Sequence, residues 1–75
     1  MTINQRIKWA VCSGEGDVGT VETRYATRLG IKRIITRELC GGDRWARATE
    51  IQPGETAQQA DERGLLTGGD INCDA

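Results

Sequence analysis

The chain has 75 residues, 37% of them hydrophobic, with one Tyr, two Trp and no Phe, so it makes a single domain near the lower limit for a self-sustaining core. A formal net charge of −1 excludes a bulk polycation that coats nucleic acid. There is no histidine, and Cys12, Cys40 and Cys73 stand far apart, which leaves neither zinc-ligand pairs nor an imidazole general base.

Taken in chain order, Ile3 to Ser13 alternates as a strand, with Ile7, Trp9 and Val11 on one side and Arg6, Lys8, Ala10 and Cys12 on the other. Ser13-Gly14-Glu15-Gly16-Asp17 supplies the glycines of a turn. A phosphate loop would need a helix after it, and Glu15 and Asp17 would repel the anion. Gly19 to Tyr25 reads as a second strand with Val21, Thr23 and Tyr25 sharing a face, and the short connection predicts an antiparallel hairpin.

Thr27 is the expected N-cap of a helix in which Ile31, Ile34, Ile35 and Leu39 recur at three- and four-residue spacing. Gly30 costs its first turn about 1 kcal/mol relative to alanine unless close packing offsets it. Lys32, Arg33, Thr36 and Arg37 fall on the remaining circumference. Cys40-Gly41-Gly42-Asp43 ends the helix. Arg44 to Ile51 reads as a third strand, with Trp45, Thr49 and Ile51 on one face and Ala46 and Ala48 on the other; the pattern does not say which face is inward.

Pro53-Gly54 ends that strand. Glu55 to Arg63 has the composition of a polar helix with almost no apolar stripe. Gly68-Gly69-Asp70 breaks any long element, and Leu65-Leu66 and Ile71 are candidates for a short docking segment or an edge strand. The expectation is an α+β fold: a small antiparallel sheet in strand–strand–helix–strand order, with room for one more short strand, and one main helix packed on it. Residues 1–52 form the core domain. Residues 53–75 form an acidic, glycine-containing C-terminal segment, partly ordered or with a short helix.

Charge is distributed unevenly along the chain. Residues 21–51 hold seven cations against four anions, whereas residues 52–75 hold Arg63 alone against five acids. Arg33 and Arg37 stand four apart, a like-charge spacing that costs an isolated helix about 0.2–0.5 kcal/mol and is relieved by an external anion. The same cations also fit a solvated helix exterior, favoured near a C-terminus by the helix dipole. The carboxylate pairs Glu15/Asp17 and Asp61/Glu62 lack apolar neighbours to shift a pKa, and no nucleophile motif occurs. Trp9 and Trp45 have the chemistry to stack bases, but a domain this small needs them as core. No catalytic residue, metal site or cofactor is expected. A binder is.

No apolar h-region comes after Met1, and no apolar run reaches the length of about 20 residues that spans a membrane. Reduced thiols in a cytoplasm are the simplest expectation, with Cys73→Ser harmless, although a disulfide joining two of the three cysteines is left open. A monomer is favoured.

The order of elements and several residues resemble a family of small phage-encoded anti-CRISPR proteins that inhibit the type I-F surveillance complex. The resemblance runs from Ile3 to Ile51. It rests on the opening strand and turn, on Gly19-Thr20 at the second strand, and on Ile31-Lys32-Arg33-Ile34-Ile35-Thr36-Arg37-Glu38 with Cys40 just beyond. After Pro53 that family continues with aromatic-rich strands, whereas this chain turns acidic and glycine-rich. The resemblance implies a non-enzymatic inhibitor in a bacterial host cell, whose basic helix face contacts backbone subunits of the CRISPR-Cas effector complex and blocks target DNA. Lys32, Arg33 and Arg37 are then the partner contacts, and Arg24, Arg28, Arg44 and Arg47 extend the patch. Two other classes use the same features: a nucleic-acid-binding module reading phosphates with these arginines, and a phage structural or assembly protein recruiting copies of itself through a sheet edge.

Overall fold

A computed structural model of the chain describes residues 6–42, 44–67 and 71–74. The expected strand start at Ile3, Asp43 of the helix stop and the Gly68-Gly69-Asp70 break lie outside the described residues. Among the described residues, β1 (Ile7–Glu15), β2 (Val18–Ala26), β3 (Arg44–Glu50) and β4 (Ile71–Asp74) form one antiparallel sheet in the order β2-β1-β3-β4. Helix α1 (Arg28–Ile34) continues into a π-helical turn over Ile35–Leu39, and helix α2 (Ala57–Thr67) comes after β3. The expected α+β architecture is present, with β4 as the additional short strand and α2 built from the polar segment.

Local chemistry accounts for the main boundaries. Gly16 supplies the positive φ of 59° that the β1–β2 hairpin requires. Thr27 Oγ1 accepts the Gly30 N–H at 3.0 Å, the anticipated cap. A Cβ on Gly30 would sit 3.0 Å from that same oxygen, so the glycine lets the cap close tightly. At the start of α2, Thr56 Oγ1 accepts the Gln59 N–H at 3.1 Å and Gln59 Oε1 accepts the Thr56 N–H at 2.9 Å, a reciprocal capping box.

The alternation of β1 sends Trp9 and Val11 to one face of the sheet and Ala10 and Cys12 to the other, and all four are buried. On the first face, Trp9, Val11, Ala26, Ala46 and Ala48 meet Ile31 and Ile35 of the helical segment, with Ile7, Ile34, Leu39, Ile71 and Cys73 at the margin. Each large aliphatic or aromatic side chain fully buried there contributes about 1.5–3 kcal/mol. Ala46 and Ala48 thus lie on the face of β3 that meets the helical segment Arg28–Leu39. Their small size admits the helix.

The opposite face is covered by α2. Its buried residues are Ala60, Asp61 and Gly64, so helix and sheet approach closely. A Cβ on Gly64 would collide with the Thr49 side chain. This second layer explains why β1 is buried on both faces.

Cys40 and Cys73 form a disulfide with their Cα atoms 6.1 Å apart, and Cys12 stays free and buried. The expectation of reduced thiols is corrected for these two residues. Antiparallel pairing of Ala46 with Cys73 carries β4 to the end of the π-helical turn, where Cys40 stands. The bond closes a separation of 33 residues, for which chain entropy predicts about 3–4 kcal/mol of stabilisation. Cys73→Ser is therefore not a silent substitution.

Candidate partner-binding face

Burying Ile31 and Ile35 against the sheet turns the outer arc of the same helical segment to solvent. Lys32, Arg33, Thr36 and Arg37 occupy that arc and are all exposed. The π-helical turn, with its wider i→i+5 spacing, keeps Leu39 packed against the core while Arg37 stays outside. Among the described residues, Lys32, Arg33 and Arg37 make no ion pair. α1 has no acidic residue in its first turn and carries Lys32 and Arg33 in its last. Leu29 lies away from the isoleucine stripe and is 59% exposed, one helical turn before Lys32 and Arg33. The face therefore combines three cations that make no ion pair among the described residues with one exposed aliphatic side chain.

The flanking arginines differ in how far they are committed. Arg24 lies on the same side of the sheet as α1, held by Glu22 at 3.0 Å and by Glu38 of the π-helical turn at 3.7 Å. Arg28 pairs with Glu50 at 3.3 Å and lies over the Trp9 ring at 5.4 Å. These are partly or fully exposed pairs, of the kind worth about 0–1 kcal/mol, so a competing anion can take either arginine. Arg44 is half-buried at the start of β3 and makes no ion pair among the described residues.

Arg47 does not extend this patch. Its register partner is Cys12, which puts it on the opposite face of the sheet, under α2. There it makes two hydrogen bonds to Asp61, at 2.9 and 3.0 Å, and stacks on Trp45 at 5.1 Å. The Asp61 carboxylate holds the guanidinium above its usual range. Cys12 beside them has its thiol pushed up, first by burial and then by the Asp61 charge, so its thiolate is suppressed. This cluster is structural packing, and alternation along β3 is the signal that separates Arg47 from Arg44. The tryptophans are likewise occupied. Trp9 is fully buried and donates to the Ala26 carbonyl at 3.0 Å, and Trp45 donates to the Gly16 carbonyl at 2.7 Å across the hairpin tip.

None of the described helices is long and apolar enough to cross a membrane. Comparisons with protein-family models, with curated proteins and with solved structures found no match to this chain. The functional reading accordingly rests on the geometry of this face and on the resemblance of its helix.

Proposed function

We propose that this chain is a non-enzymatic inhibitor that engages a CRISPR-Cas surveillance complex through the outer face of α1 and its π-helical turn, blocking target DNA. The observation that carries the reading is the exposure of Lys32, Arg33 and Arg37 with no ion pair among the described residues. Three such cations suit an acidic surface. Leu29, one helical turn before Lys32 and Arg33, adds an exposed apolar contact of the kind that protein interfaces use and phosphate backbones do not. The resemblance of Ile31–Glu38 narrows the partner to backbone subunits of a type I-F complex. Arg24, Arg28 and Arg44 lie around this face as secondary contacts. Seated on an acidic surface beside the path of the target strand, the chain blocks access to the positively charged channel that holds the nucleic acid without entering it.

The proposed setting is a bacterial host cytoplasm, where disulfides are rare. The inhibitor therefore has to fold and bind with Cys40 and Cys73 reduced, and the test includes a reductant.

The test titrates purified chain, with and without dithiothreitol, into a type I-F surveillance complex and monitors binding of labelled target duplex. Stoichiometric loss of duplex binding, with no affinity of the chain for naked duplex at physiological salt, is the expected result. Tight binding to naked duplex that falls by about 0.9 log unit per phosphate neutralised for each log unit of salt would overturn it in favour of a nucleic-acid module.

A further inference from the structure

Strand β2 is the outermost strand of the sheet on its side, nine residues long, paired only to β1 among the described residues and exposed along almost its whole length. Proteins usually guard such an edge with lysine, proline, a bulge or a short strand. β2 contains no Lys and no Pro, and its register to β1 runs one-to-one from Ala26 to Val18 without a bulge. Its solvent-facing residues include Val21 and Tyr25, 37% and 63% exposed, on the face that α2 covers only in part. The edge is open, unbulged and partly apolar.

Its sequence is also complementary to itself. In Val21-Glu22-Thr23-Arg24-Tyr25, the central Thr23 is flanked by an acid on one side and a base on the other, then by an aliphatic and an aromatic residue. We propose that two copies of the chain pair antiparallel through β2, in the register that sets Thr23 opposite itself on a two-fold axis. Glu22 then faces Arg24 of the partner subunit, and Val21 faces the partner's Tyr25, each contact occurring twice as an isologous interface requires. Opposite charges and aromatic–aliphatic pairs are the cross-strand combinations that stabilise antiparallel ladders. A shift of two residues in either direction separates the charges from their complements, and a shift of one places every side chain on the wrong face. Arg24 and Glu22 already contact each other at 3.0 Å within one chain, so both charges are poised on the face where they are needed.

The sheet becomes eight-stranded and continuous. An axis normal to the sheet keeps both α1 helices on one side, so the dimer presents two basic faces together. On this proposal the chain is a two-fold dimer, where the sequence reading favoured a monomer. This inference does not rest on the proposed function, since self-association is measured on the chain alone.

Sedimentation velocity over a concentration series tests it. The wild-type chain is expected at twice its mass of 8.2 kDa. Glu22→Arg or Arg24→Glu alone sets like charges opposite each other twice per dimer and is expected to weaken association by at least about tenfold. The double variant E22R/R24E restores opposite pairing and regains wild-type association, with circular-dichroism melts confirming that each variant folds. A wild-type monomer at millimolar concentration overturns the proposal. So does unchanged association in the single variants, or failure of the double variant to recover.

Discussion

The two faces of the sheet are held by different physics. Under α1, Trp9, Val11, Ile31 and Ile35 form an apolar layer whose stabilisation scales with the area removed from water. Under α2, small residues allow a close approach: Thr49 lies against Gly64, Ala10 and Ala60 are fully buried, and the buried Asp61 is matched by Arg47. The first face tolerates rearrangement among aliphatics of similar volume, and its helix is free to carry function on the outside. The second depends on close fit and on a charge pair whose desolvation has already been met. A helix anchored by a stripe of isoleucines needs nothing from its outer residues. That is why the cations of α1 are available and Arg47 is not.

The largest effect is expected at the centre of the apolar layer. Ile35→Asp places an unpaired carboxylate at a fully buried site and should abolish the cooperative melt. Ile34, on the same apolar stripe, is only half-buried, and Ile34→Asp should be milder. A normal melt for Ile35→Asp would mean that α1 and its π-helical turn do not carry the core.

On the other face, Asp61→Ala should cost about 3–5 kcal/mol in denaturant titration, because it leaves Arg47 under α2 without its partner. Adding Arg47→Met should recover part of that loss. If the double variant is no better than the single, the α2 face depends on packing and not on charge balance.

Cys73→Ser should cost about 3–4 kcal/mol under oxidising conditions and nothing beyond the wild type in excess dithiothreitol. Equal melts in the absence of reductant would show that the link between the π-helical turn and β4 adds no stability to the α1 side.

How much of the molecule was legible in the sequence divides along the same line. Large apolar residues at regular spacing announce themselves, so β1, β2, the Thr27 cap, α1 and β3 could be placed from residue pattern alone, as could Lys32, Arg33 and Arg37 on the outer arc of α1. α2 was harder, because it packs through Ala60, Gly64 and a paired Asp61 and has no stripe to read. Its legible signal was Thr56-Ala57-Gln58-Gln59, a capping box that marks a helix start even where the helix itself is polar. Arg47 was grouped with Arg44 by charge, where alternation along β3 sends the two to opposite sides of the sheet. The pairing of Cys40 with Cys73 depends on β4 returning beside β3, a tertiary event that cysteine spacing does not encode.

The smallest expected effect on stability carries the central claim. The double reversal R33E/R37E should shift the melt by no more than about 0.5 kcal/mol, as exposed charges away from structural features do. In calorimetric titration against a type I-F surveillance complex, wild-type chain should bind and R33E/R37E should show no binding. Equal binding by a normally folded R33E/R37E would contradict the account and reduce the outer arc of α1 to a solvated surface.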